Sequence, residues 1–287
     1  MSILEGALLG LLQGLAEFLP ISSSGHLNLF QALLHTQLDN QLLFNILLHV
    51  GTLIAVAVVF WKDWMDMLLH PIKNNTLLLL FIASLPALAA KILFDKPLEY
   101  AETHNTLLGV CFLITALMLI LTQRFSRRQE AAGVAKEKVG VLEALVMGCL
   151  QAIGMLPGIS RSGSTIFGGM CARVNREAAA KFSFMMSAPA IAGALLLEGK
   201  DALEEGWFTQ LELLPTLVGI VVACVSGYIA IRFMLGLISR ASLNWFALYV
   251  AILGLLFLVL QLLSLPGVNV PPFAMPETAA ALSTVML

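Results

Sequence analysis

The sequence predicts an all-α polytopic membrane protein with six full transmembrane helices and two re-entrant helical hairpins, ten helical segments in all, arranged as an inverted-topology repeat. Three observations carry this reading. The chain of 287 residues is 59% hydrophobic and 12% charged, with mean hydropathy +0.90, whereas soluble domains carry about 25% charged residues. Six stretches are long and apolar enough to cross a hydrocarbon core of about 30 Å. A polar cluster inside apolar sequence also occurs twice: Pro20-Ile21-Ser22-Ser23-Ser24-Gly25-His26 returns as Gly158-Ile159-Ser160-Arg161-Ser162-Gly163-Ser164. The register holds without a gap at an offset of 138 residues, from Ser22 to Ser160. It extends back through Leu4/Leu142, Glu5/Glu143, Gly10/Gly148, Leu12/Leu150 and Gln13/Gln151, and forward to Phe44/Phe182, Lys62/Lys200 and Asp63/Asp201. The chain therefore reads as one membrane domain, 1–287, made of repeat 1 (about 4–123), a linker (124–140), repeat 2 (about 141–265) and a tail (266–287).

Residues 4–19 make a helix of about 16 residues, about 24 Å long, too short to span. It ends at the first polar break, and a second short helix, 24–35, follows. Half-helix, polar tip and half-helix form a re-entrant hairpin, in which non-helical backbone is tolerated only where protein or water covers it. Spans 44–61, 76–94 and 105–123 come next. The charged run Gln123–Lys138 reads as a solvated linker. Residues 141–156 and 164–180 repeat the hairpin, and spans 182–198, 213–235 and 245–265 complete the second half. Glu5 and Glu143 occupy equivalent first-turn positions, where a carboxylate favours the helix N-terminus. Cys111, Cys149, Cys171 and Cys224 read as packing residues, without paired or metal-type spacing. Trp61, Trp64, Trp207 and Trp245 lie at span ends, as an aromatic belt requires. His35, His70 and His104 fall near span ends or in loops, and His49 in span 44–61 reads as a hydrogen-bonded packing residue.

Orientation follows from the basic residues. With hairpin 4–35 entering from outside, the cytoplasmic face holds Lys62, Lys73, Arg124, Arg127, Arg128, Lys136, Lys138, Arg173, Arg176, Lys181, Arg232 and Arg240, and the outer face only Lys91, Lys96 and Lys200. That asymmetry satisfies the positive-inside rule. Each half has an odd number of crossings, so the halves are inverted and their tips are expected to meet near the bilayer centre. The net charge of −2 excludes a strongly basic nucleic-acid binder. Met1–Leu19 lacks the basic n-region of a cleavable signal peptide.

The tips carry the chemistry. Gln13 and Glu17 share one helix face at i, i+4. A charge at membrane depth costs on the order of 3 kcal/mol or more, so Glu17 and Arg161 each require partners. A structural lock between the two is one reading. The functional reading adds the neighbouring groups. Arg161 can fork onto phosphate oxygens, and the hydroxyls of Ser22, Ser24, Ser160, Ser162 and Thr165 can donate to the same anion beside helix N-termini. His26 exchanges protons near neutral pH. Ser23 stands three residues before it as a candidate nucleophile, with His26 itself and a metal-bound water as alternatives. Glu17 and Gln13 offer hard oxygens to Mg²⁺ or Ca²⁺. Together these groups point to phosphoryl transfer or hydrolysis.

The segments Gln13-Gly-Leu-Ala-Glu17-Phe-Leu-Pro20-Ile-Ser-Ser-Ser-Gly-His26 and Pro157-Gly-Ile-Ser-Arg-Ser-Gly-Ser-Thr165 resemble the two signature motifs of the bacterial undecaprenyl-diphosphatases, the bacitracin-resistance family, and length, repeat and span order fit as well. The resemblance implies hydrolysis of undecaprenyl pyrophosphate to undecaprenyl phosphate and inorganic phosphate at the bacterial inner membrane, from a site open to the periplasm. That reaction recycles the lipid carrier of peptidoglycan. The resemblance also implies functional roles for Glu17, Ser22, Ser23, His26, Ser160, Arg161, Ser162 and Thr165, and a divalent cation as cofactor. The family's first acidic position is Gln13 in this chain, and the third position of the Ser run is Ser24. Expected partners are the polyprenyl lipid, membrane lipids and a second copy in a homodimer, with no nucleic acid. Two rival readings differ in class. A lipid flippase or transporter uses the same inverted-repeat architecture. A membrane acid phosphatase shares Ser24-Gly25-His26, but it needs a Lys-x6-Arg-Pro motif that is absent and a His where Phe167 stands.

Overall fold

A computed structural model describes residues 1–34, 41–71, 73–104, 107–204, 206, 212–238 and 241–263. The tail 266–287, His35, Trp207 and Arg240 lie outside them. The described chain is built from helices: α1 (Ile3–Phe18), α2 (Ser23–Leu34), α3 (Gln41–Val59), α4 (Trp61–Leu69), α5 (Thr76–Leu93), α6 (Asp95–His104), α7 (Leu108–Ala132), α8 (Val141–Ile153), α9 (Arg161–Cys171), α10 (Arg176–Glu204), α11 (Leu213–Ile238) and α12 (Asn244–Leu263). Each expected segment contains a helix, but the half-helix expected over 164–180 is shorter: α9 ends at Cys171, the chain turns through Arg173 at φ 63°, and α10 starts at Arg176. Two more helices lie where the hydropathy suggests loops. The first, α4, leaves α3 at a bend of 71° and shows Trp61, Met65, Leu68 and Leu69 outward, as a helix lying in the membrane interface does. Beyond its end, Asn74 donates to Asp66 at 2.7 Å and holds that carboxyl below the usual range. The second, α6, is short and polar.

Among the described residues α5, α7, α10 and α11 are each long and apolar enough to cross a bilayer, and α3 reaches that measure together with α4. Their outer faces are apolar: Leu77, Phe81, Leu88 and Ile92 on α5, and Val221, Val225, Ile229 and Phe233 on α11, are all exposed. A water-soluble protein does not expose such continuous surface; lipid solvates it here.

The linker differs from the expectation. Instead of ending near residue 123, α7 runs on to Ala132 and closes on Gly133, whose φ of 61° supplies the left-handed C-cap. Apolarity stops at the membrane surface, but Arg, Gln and Glu are good helix formers and the helix continues through them. The rest of the linker is pinned. Lys136 pairs with Val174 as an isolated bridge, its N–H donating to Arg173 O at 2.7 Å, and its Nζ donates to Glu143 at 2.5 Å. Glu5 completes a capping box with Ser2, and Glu143 accepts from Gly140 N–H at 3.0 Å at the start of α8, consistent with their first-turn positions.

The packing is reciprocal. Helix α1 lies along α11 and α8 along α5, while α3 meets α10 and α7 meets α12. At the 138-residue offset α8 corresponds to α1, α11 to α5, α10 to α3 and α12 to α7, so each hairpin is gripped by the opposite half. Small residues make the approach close. Gly6, Gly10 and Gly14 form a stripe on α1, and a Cβ built on Gly10 would stand 2.3 Å from Gly219 O. A Cβ on Gly148 of α8 would stand 2.3 Å from Ala83 O of α5. Such small-residue seams let helix backbones touch in lipid, where no hydrophobic force drives them together.

Candidate active site

Two loops made by the repeated motif face each other. Helix α1 ends because Leu19 precedes Pro20, which forces extended backbone (φ −68°, ψ 140°). The chain then reverses through Ser22, a non-glycine residue at φ 72°, a strained conformation of the kind found at functional sites. Ser22 Oγ accepts from Gly25 N–H at 3.4 Å and caps α2. Its counterpart Ser160 accepts from Gly163 N–H at 3.1 Å and caps α9. The two hydroxyls expected to donate to an anion are thus the N-caps of equivalent helices. The tips are also bonded to each other. Gly158 N–H donates to Ser22 Oγ at 3.1 Å, and Ser162 Oγ to Leu19 O at 3.4 Å. Thr115 of α7 holds the second tip from behind, donating to Gly158 O at 2.9 Å and accepting from Ser160 N–H at 3.0 Å. Gly158 adopts φ 88°, and a Cβ on Gly25 would meet its Cα at 3.2 Å and Phe112 at 2.7 Å. Both positions require glycine.

Glu17 is the hub. One carboxylate oxygen, Oε1, accepts from Arg161 Nε at 3.2 Å and Nη2 at 3.0 Å. The other, Oε2, accepts from Ser23 Oγ at 2.7 Å and Gln13 Nε2 at 3.1 Å. The third guanidinium nitrogen of Arg161 donates to Ser183 O at 3.2 Å, which leaves two of its five N–H groups for another acceptor. Glu17 and Arg161 are 5% and 15% exposed at the side chain. The expected partnership of these charges is present, and it joins the first tip to the second. Ser22, Ser160, Ser162 and Thr165 are buried. Their hydroxyls face protein, with Thr165 against Ser183 Oγ at 2.6 Å. Ser23 and Ser24 alone among the expected hydroxyls are partly open.

Ser23 and His26 share no hydrogen bond. His26 Nδ1 lies 2.7 Å from Ser22 O; a carbonyl only accepts, so Nδ1 carries a proton. In the neutral ring Nε2 is then the acceptor, and Tyr249 of α12 donates to it at 2.8 Å while stacking on the ring at 5.7 Å. Because α2 begins at Ser23, His26 folds back one turn onto the Ser22 carbonyl rather than forward onto the Ser23 hydroxyl. Among the described residues the imidazole beside the Ser23–Glu17 pair is His49, which the sequence alone presents as a packing residue. Its Nε2 stands 3.5 Å from Glu17 Oε2, its side chain is 28% exposed, and its Nδ1–H donates to Asn45 O at 2.7 Å. Sequence spacing has no signal for Tyr249 or Ser183, whose partners lie far along the chain.

The cluster thus combines a hydroxyl already donating to a carboxylate, a guanidinium with spare donors and two imidazoles, at a junction of two tips in an apolar protein. Those groups suit chemistry on a phosphate. The chain matches the profile of the bacitracin resistance protein BacA over residues 6–256. It is 39% identical over 262 residues to an undecaprenyl-diphosphatase of Carboxydothermus hydrogenoformans, covering 91% of this chain and 98% of that one. With a protein of the same name from Halothermothrix orenii the figures are 38% over 261 residues, 91% and 98%, and with one from Methanosphaera stadtmanae 33% over 282 residues, 91% and 99%. By sequence along most of its length, the chain belongs to the bacitracin resistance protein BacA family.

Proposed function

We propose that this protein hydrolyses undecaprenyl pyrophosphate to undecaprenyl phosphate and inorganic phosphate, and so returns the lipid carrier to peptidoglycan synthesis and confers bacitracin resistance. The observation that carries the reading is the Ser23–Glu17–Arg161 contact across the two tips; the names of the relatives support it. The two halves, about 4–123 and 141–265, form an inverted repeat with six spans and two re-entrant hairpins, α1–α2 and α8–α9. The reciprocal packing of α1 on α11 and α8 on α5 supports that arrangement, as do the 16 and 13 residues of α1 and α8. The site opens to the periplasmic side of the inner membrane, in keeping with the basic residues at the other face. A site inside the bilayer leaves the prenyl tail in lipid, where withdrawing it would cost about 0.8 kcal/mol per CH₂.

In the reaction Ser23 Oγ attacks the terminal phosphorus while its proton passes to Glu17 Oε2. The bond from that phosphorus to the bridging oxygen breaks, and undecaprenyl phosphate leaves. Water then cleaves the phosphoserine, releasing inorganic phosphate and restoring the hydroxyl. Arg161 directs its two remaining N–H groups at the phosphate oxygens and holds Glu17 in place. His26 exchanges a proton at Nε2, the position that Tyr249 occupies. Tyr249→Phe keeps the ring but removes its hydroxyl; the expected result is at least a tenth of normal turnover with a displaced pH–rate profile, and a profile that superimposes on the wild type would free His26 from this control.

The divalent cation belongs to the same proposal. Gln13 Oε1 is buried without a hydrogen-bond partner, and it belongs to the amide whose Nε2 contacts Glu17. Turned over, that amide offers a hard oxygen beside the carboxylate, a donor set that fits Mg²⁺ or Ca²⁺, with Glu17 and Gln13 as holders. Among the described residues no three His, Cys, Asp or Glu side chains gather, which suits an ion that takes its other ligands from phosphate and water. When bound, the cation would offset negative charge on the pyrophosphate. The test is phosphate release by the purified protein in detergent, without a gradient, which a flippase has no reason to perform. EDTA is expected to stop it and Mg²⁺ or Ca²⁺ to restore it; full activity in EDTA would remove the metal, and no phosphate release at all would remove the enzyme.

A further inference from the structure

Away from the tips, at the far end of α7, a cleft of about 430 Å³ opens between α7 and α12. Gln123, Arg124 and Arg127 line one wall; Asn244, Leu248 and Ala251 line the other. Arg124 and Arg127 are exposed, and neither forms an ion pair with any described residue. They stand about 24 Å and 28 Å along α7 from Leu108, at about 1.5 Å per residue, against a hydrocarbon core of about 30 Å. Both guanidinium groups therefore sit at headgroup depth. The opposite wall starts at the N-terminus of α12, the positive end of its dipole, where Asn244 N–H donates to Ser242 Oγ at 3.2 Å and Ala247 N–H to Leu243 O at 3.0 Å. Trp245 beside it is 76% exposed, as an interfacial anchor is. Gln123 Oε1 accepts from Leu243 N–H at 3.0 Å and ties the two helix ends together, so the walls keep their spacing.

We propose that this cleft binds the phosphate headgroup of an anionic phospholipid, with an acyl chain laid against Leu248 and Ala251. Two arginines that form no ion pair with any described residue supply donors for a phosphodiester, and the positive end of the helix adds favourable charge. No carboxylate lines the cleft to receive the ammonium of a zwitterionic lipid. The apolar wall leads from the headgroup position toward the bilayer, with Leu248 51% exposed, which a free phosphate would not use. The site does not depend on the reaction at the tips.

The experiment is thermal unfolding of the full chain in a neutral detergent, with phosphatidylglycerol, phosphatidylcholine or inorganic phosphate added, and native mass spectrometry of the same samples. Phosphatidylglycerol is expected to raise the unfolding temperature of the wild type by about 3–5 °C and to remain bound as one adduct; the other two additives do neither. Arg124→Gln/Arg127→Gln, at exposed positions without ion pairs, keeps the untreated unfolding temperature and loses both the shift and the adduct. An equal shift from phosphatidylcholine or from phosphate alone, or a double variant that retains the adduct, overturns the proposal. The wild-type comparison of the two lipids decides it even if the double variant does not fold.

Discussion

Glu17→Gln is expected to lower turnover about 10³-fold or more, within the range for removal of a general base, and also to weaken the fold. The carboxylate accepts from Ser23, Gln13 and two nitrogens of Arg161. An amide at its place would leave the guanidinium without its anion inside an apolar protein. Breaking a buried pair by removing one partner costs about 3–5 kcal/mol, whereas replacing both partners is often neutral. Glu17→Gln/Arg161→Met should therefore recover much of the lost unfolding temperature and none of the activity. Phosphate release and thermal unfolding, measured on the same preparations, separate the two roles. A single variant with a tenth of normal turnover, a loss of only about 1.4 kcal/mol, would make Glu17 a lock and nothing more. Full stability of that variant would dismiss the lock instead.

The second large effect is expected at Ser23. Ser23→Ala should abolish turnover and leave lipid binding intact, because among the described residues its hydroxyl bonds Glu17 alone and its side chain is partly open. Its neighbours differ in kind. Ser22→Ala removes a helix cap and the bond from Gly158 N–H, so it should reduce stability by roughly 1–2 kcal/mol while retaining partial activity. The Ser24 hydroxyl makes a long contact of 3.4 Å with Ser22 Oγ, and Ser24→Ala should be the mildest of the three. Quenched-flow trapping with labelled substrate and mass spectrometry locates the phosphorylated residue. Phosphate on His26, or a Ser23→Ala enzyme that turns over at a tenth of the normal rate, would exclude the serine mechanism.

How much of this could be read from the chain divides by range. Apolar length located the helices, since lipid imposes it directly. It could not announce α4, whose charges at Lys62, Asp63 and Asp66 interrupt the hydropathy of a helix that lies along the surface, nor the end of α7, because hydropathy measures the bilayer and not the helix. The i, i+4 relation of Gln13 and Glu17 and the repeat's pairing of Ser23 with Arg161 were legible because both are matters of register. The capping role of Ser22 and Ser160 was equally local, yet the hydroxyls read as ligands because Ser suits both tasks. His49 and Tyr249 were opaque. A single polar side chain in an apolar helix looks the same whether it packs or faces a site, and its partner is fixed only when distant helices meet.

The grip of each hairpin by the opposite half also sets a timetable. The glycine stripe of α1 is made at the start of synthesis, but its seat on α11, around Pro215 and Gly219, follows about 200 residues later. At about 5–20 residues per second, α1 waits roughly 10–40 s for the surface it is shaped to fit. For most of that time Glu17 also lacks Arg161, and a carboxylate without its counter-ion has every reason to stay in water. The first hairpin to leave the ribosome is thus among the last parts to gain all its partners.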